Sequence, residues 1–171
     1  IYIMMLASKR FSHINLVDIG FKGMGELLPL VSIVLLSLAL GASLQILGTG
    51  LFVAGIVGEA LPVIMIVPML FLASSVMAFT TGTSFGTFAM MIPIGVPLIQ
   101  MLGLPPAFVI SAILGGGVFG DHCSPISDTT MISSVASGCD LLDHVKTQLP
   151  YALVGGGLTF VAYIITGLFV L

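Results

Sequence analysis

The sequence predicts an all-α polytopic membrane fold containing a re-entrant helical hairpin and a broken transmembrane helix. Three observations carry that reading. Of 171 residues, 58% are apolar and 6% are charged, and the mean hydropathy is +1.26, whereas a soluble domain carries about 25% charge. No Lys or Arg occurs between Lys22 and Lys146, so polar cover for a globule is missing and a bilayer has to act as solvent. Finally, two hydroxyl- and glycine-rich interruptions, residues 80–87 and 120–130, break apolar runs that would otherwise continue. Composition also excludes some functions. The net charge of −3 and four scattered basic residues cannot build an electrostatic surface for nucleic acid. Cys123 and Cys139 have no metal-ligand spacing and read as packing residues without a disulfide.

In chain order, residues 1–7 begin inside an apolar run with no basic leader or cleavage pattern, as expected for the tail of a preceding membrane helix. A helix needs about 20 apolar residues to cross roughly 30 Å of hydrocarbon. Residues 27–47 and 149–171 meet that test. The polar stretches ahead of them carry Lys9, Arg10, His13, Asp18 and Lys22 in one case and Lys146 in the other, which predicts cytoplasmic loops. Residues 51–57, bracketed by Gly50 and Gly58, are too short to span and predict an interfacial arm, with Glu59 beside it a solvated charge. Residues 61–101 predict the re-entrant hairpin: the run 61–79 breaks at the Thr/Gly/Ser tip, and the arm resuming at 88–101 is short and holds Pro93 and Pro97, which remove backbone donors. Residues 105–137 predict one membrane helix broken at 120–130, with Ser124 as cap and Pro125 at the first position of its second half. An interfacial amphipathic turn, 140–148, then leads into the last span.

Backbone in hydrocarbon survives outside a helix only where it is buried in protein or lines a cavity. One glycine or proline break is as readily a kink. Two breaks rich in hydroxyls point to a site where half-helix ends face a bound ion or substrate. Asp121 and Asp128 are the strongest individual signals, because an intramembrane carboxylate costs several kcal/mol unless paired and no basic residue lies near them in sequence. A proton, an external cation or a residue from elsewhere must supply the missing charge. Carboxylates among Ser and Thr hydroxyls suit a hard cation such as Na⁺, and a carboxyl in low dielectric can also carry a proton. The expected cation- and proton-binding residues are therefore Asp121 and Asp128, with Thr83 and Ser84 at the hairpin tip and His122, Ser124, Ser127 and Thr129 at the second break. For each hydroxyl a helix cap is the competing role. For His122 it is a hydrogen-bonding strut.

The segments TGTSFGTFAMMIPIGVPL (81–98), LGGGVFGDHCSPISDTT (114–130) and GCDLLDHVKTQLPYAL (138–153), with LGTG at 47–50, resemble the C-terminal part of the NhaC family of Na⁺/H⁺ antiporters. The resemblance implies a secondary transporter of two inverted repeats in the cell membrane, of which this chain would be one half, working by alternating access and without a cofactor beyond the transported Na⁺ and H⁺. Its partners would be the lipid bilayer, the N-terminal half of the same transporter and, for a homodimer, a second copy. The family also includes exchangers of malate, lactate or amino acids, so an organic-acid or amino-acid exchanger is the alternative. An enzyme is not expected: an intramembrane aspartyl protease would need a GxGD motif and a second Asp on a facing helix, whereas GVFGD at 117–121 has one residue too many and Asp128 shares the same break.

Overall fold

The computed structural model describes residues 2–7 and 11–171. Lys9 and Arg10, two of the basic residues used for orientation above, lie outside them. Among the described residues eight helices follow in order: α1 (Tyr2–Ala7), α2 (His13–Ile46), α3 (Thr49–Ala60), α4 (Val63–Thr81), α5 (Ser84–Leu102), α6 (Pro106–Cys123), α7 (Asp128–Ser137) and α8 (Leu141–Val170). No strand occurs among the described residues. Helices α4, α5, α6 and α8 are each long and apolar enough to cross a membrane, so the all-α polytopic fold stands. The chain divides into two compact units, Ile1–Leu35 and Leu36–Leu171.

In the first unit the polar stretch expected as a loop is helical from His13 onward. Asp18 and Lys22, one turn apart, pair at 3.1 Å on its exposed side, the spacing that supports a helix through an ion pair.

In the second unit the short segment after Leu47 is helix α3, bent by 71° from the end of α2. The corner is Gly48, at φ 67°, a left-handed conformation that favours glycine. Glu59 is exposed on α3. This corner packs on α5 through two more glycines, and the reason lies in the prolines of α5. Pro93 and Pro97 have no N–H to give the carbonyls one turn back, so the Ala89 and Pro93 oxygens lose their helical partners. Gly41 lies against the Ala89 carbonyl, and a Cβ on Gly50 would sit 2.7 Å from the Pro93 oxygen and 2.6 Å from the Pro97 ring. A glycine at each place lets a neighbouring backbone approach an orphaned carbonyl that a Cβ would strike.

The hairpin arms differ from expectation in one respect. Helix α5 begins at Ser84, so its 19 residues match the 19 of α4, about 28 Å each. The apolar count from Phe88 understated this arm because Ser84, Gly86 and Thr87 are buried helical residues. The reversal takes two residues: Gly82 closes α4 at φ 67°, its N–H on the Ala78 carbonyl, and extended Thr83 opens α5.

Helix α6 also runs further than the glycine run suggested. It passes through Gly115, Gly116 and Gly117 and ends at Cys123, because those glycines are close-approach points. A Cβ on Gly116 would strike the Phe71 carbonyl and lie 2.9 Å from the Ser74 Cβ, and one on Gly120 would strike the Ser75 carbonyl. Small residues four apart let α6 lie backbone to backbone on α4, as small-xxx-small pairs do in membranes. Around this contact the core gathers Ile66, Val67, Phe71, Val109, Ala112 and Ile113, and Phe71 stacks on Phe119 with centroids 5.7 Å apart. Helix α8 starts at Leu141, so 140–148 is the first two turns of the last helix and not a separate turn. Asp140 caps it by accepting from the Leu142 N–H at 2.9 Å, and Pro150 lies within it. Cys123 is buried as expected, whereas Cys139 is exposed, its Sγ reaching the Ser134 carbonyl at 3.7 Å.

Candidate functional site

The site is built where the hairpin tip meets the break between α6 and α7, and the two interruptions satisfy one another. Four residues, 124–127, separate the half-helices. The Ser124 hydroxyl donates to the Phe79 carbonyl at 2.8 Å, near the end of α4, where helical partners run out. The Asp128 N–H, orphaned at the start of α7, donates to the Gly82 carbonyl at 3.3 Å. Each break thus supplies what the other lacks, the accounting that membrane-embedded backbone demands. Ser124 is accordingly a clamp and Pro125 a turn residue. The cap of α7 is Ser127, whose Oγ accepts from the Thr130 N–H at 3.1 Å. Proline at 125 cannot open a helix that starts at Asp128. Ser127→Ala should lower the melting temperature of the whole protein in detergent, by the equivalent of about 1 kcal/mol, the worth of such a cap; an unchanged melt would remove the capping role.

A relay of hydroxyls leads from this cap to the buried acid. Thr129 donates to Asp121 Oδ2 at 2.8 Å. Its one hydroxyl proton is then engaged, so in the 3.0 Å pair between Ser127 Oγ and Thr129 Oγ1 Ser127 is the donor. The Asp121 side chain is 2% exposed, and its other oxygen, Oδ1, is buried with no hydrogen-bond partner. Its place in the last turn of α6 sets it at the negative end of that helix dipole, which disfavours an anion and favours a cation beside it. Neither described lysine compensates the charge: Lys22 pairs with Asp18, and Lys146 with Asp143 at 3.5 Å, all on exposed side chains.

Asp121 lines a cavity of about 230 Å³ together with Ser84, His122, Thr129, Thr130, Ser133 and Gln148. Of the residues expected from sequence, the fold brings Asp121, Ser84, His122 and Thr129 to this space. Asp128, Thr83, Ser124 and Ser127 lie outside its lining. Asp128 is half-buried at the amino end of α7, in its first turn. Thr83 is buried with its Oγ1 unpartnered. His122 is exposed and its Nδ1 meets the Val118 carbonyl at 2.8 Å, the strut role, which leaves Nε2 for other partners. No group of three or more His, Cys, Asp or Glu side chains forms a metal centre among the described residues.

Sequence reasoning missed Ser133 and Gln148. Ser133 was legible, since it lies one turn beyond Thr129 on the same face of α7. Gln148 had no local signal: it lay at the edge of a polar stretch read as interfacial.

A profile described as the Na⁺/H⁺ antiporter family matches residues 1–168. Relatives with similar sequences include a malate-2H⁺/Na⁺-lactate antiporter of Bacillus subtilis, 38% identical over 54% of this chain and 20% of that protein. An arginine/ornithine antiporter of Halobacterium salinarum is 36% identical over 60% of this chain and 21% of its own. The Na⁺/H⁺ antiporter NhaC of Alkalihalophilus pseudofirmus is 34% identical over 51% and 19%. The matched stretch is thus about a fifth of the length of each relative. No solved structure matches the chain.

Proposed function

The chain belongs to the Na⁺/H⁺ antiporter family, and on that premise we propose that the whole protein exchanges Na⁺ for protons across the cell membrane by alternating access, with Asp121 holding the transported cation. The observation that carries this is the unpartnered, buried Oδ1 of Asp121 on a residue that lines a cavity shared with the hydroxyl residues Ser84, Thr129, Thr130 and Ser133, alongside Phe85 and Val118. A carboxylate left so is costly, and a cation or a proton relieves the cost in turn, which is the competition an antiporter needs. Ser84 and Thr129 supply further oxygens, and Thr129 also holds Asp121 in place through Oδ2. Asp128 adds a second negative charge at the break. His122 stands beside the site, its ring fixed through Nδ1 on the Val118 carbonyl. Hairpin and broken helix, clamped together at Ser124 and Asp128, would move as one body against the remaining helices, and the remainder of the transporter would complete the site.

The second reading is an organic-acid or amino-acid exchanger. It is favoured by the malate/lactate and arginine/ornithine relatives and by the amino end of α5, which has no acid in its first turn and presents Ser84 to the cavity, a dipole end suited to a carboxylate. In everted vesicles containing the full-length protein, Na⁺ alone should drive a change in lumenal pH. Exchange that appears only with malate, lactate or a basic amino acid present would replace the first reading by the second.

A further inference from the structure

The cavity beside Asp121 is closed on one side by α8, and the side chain that α8 contributes there is Gln148. The surrounding pattern makes this amide conspicuous. Leu141, Val145 and Leu149 form the face of α8 turned toward the protein, half-buried or buried, while Asp143, Lys146 and Thr147 are exposed. Gln148 lies on that inward face at the spacing where another apolar residue would complete the stripe. The half-buried Gln148 has no side-chain hydrogen bond among the described residues, and Asp121, which lines the same cavity, has its buried Oδ1 unpaired.

We propose that Gln148 is a ligand and selectivity residue for the cation held by Asp121. The inference rests on the cation reading above and extends it to α8. A hard cation that gives up its water has to recover several oxygens. The oxygens from α5 and α7 are hydroxyls, partly engaged: Thr129 is committed to Asp121 and Ser127, and Ser133 donates to the Thr129 carbonyl at 2.9 Å. Gln148 adds a carbonyl oxygen, the stronger neutral dipole, without adding charge.

The test uses the full-length transporter, in everted vesicles and purified in detergent. In Gln148→Met, which keeps side-chain length and removes the oxygen, the half-saturating Na⁺ concentration should rise about tenfold, more than the maximal rate falls, and the preference for Na⁺ over Li⁺ should change, as expected when a ground-state ligand is lost. The gain in melting temperature on replacing choline by Na⁺ should shrink with it. Should that variant not fold, Gln148→Glu carries the test: the added carboxylate should make half-saturation by Na⁺ more strongly pH-dependent than in the unmodified protein. Unmodified exchange together with unchanged Na⁺ half-saturation and unchanged Na⁺/Li⁺ preference in a folded variant overturns the role of Gln148 alone. Absence of Na⁺-dependent exchange or stabilisation in the unmodified protein overturns the cation reading and this inference together.

Discussion

Asp121→Asn in the full-length transporter is expected to abolish Na⁺-dependent proton exchange while leaving the protein folded. Asparagine keeps the shape of the side chain and an oxygen able to accept from Thr129, so the 2.8 Å contact across the break has a substitute. What disappears is the charge. A unit charge about 4 Å from a cation in a medium of effective dielectric about 20 is worth about 4 kcal/mol, or roughly a thousandfold in binding, and the amide cannot carry the exchanging proton. Asp128→Asn should slow exchange without ending it, because that carboxylate is half-buried at the start of α7 and lies outside the cavity lining. Measured in everted vesicles with a fluorescent pH indicator, a fully active Asp121→Asn would end the assignment of the site.

The second large effect concerns packing. Gly120→Val should prevent stable folding of the transporter or lower its stability by about 3 kcal/mol, the upper part of the usual range for overpacking. The Cβ it introduces would strike the Ser75 backbone carbonyl, which no side-chain rotation can move aside. Because Gly120 precedes Asp121, the displacement also withdraws the carboxylate from Ser84 and Thr129. The contrast is supplied by α8, where a Cβ on Gly155 or Gly157 would meet nothing within 4 Å. Gly155→Ala and Gly157→Ala should therefore melt as the unmodified protein does. Size-exclusion profiles after a heating series separate the two classes, and a Gly120 variant as heat-resistant as those two would show that α4 and α6 have room to part.

Much of this architecture could be read before any coordinates. The hairpin around Gly82, the broken helix around 124–127 and the buried Asp121 follow from apolar runs, their interruptions and a charge in oil. The errors were local. Ser84 to Thr87 looked like loop because hydroxyls and glycine are polar or permissive in composition, yet in place Thr87 bonds back to the Thr83 carbonyl at 3.0 Å and the residues continue the helix. Pro125 looked like a helix start because proline favours that position, but the helix waits for Ser127, whose hydroxyl reaches the right N–H.

Residue types and hydropathy alone were enough to identify the solvent, the two interruptions and the acid without a basic partner, because these are properties of the chain; the count of span-length helices was not, since α5 and α6 run further than their apolar runs. Which polar groups share a cavity emerges from the packing of the helices. Thr129 and Gln148 come from different helices, and Asp121 meets Ser84 only because Gly116 and Gly120 let α6 settle onto α4. Contacts between elements distant in sequence depend on how closely backbones can approach, and that is set by pairs of surfaces rather than by either surface alone.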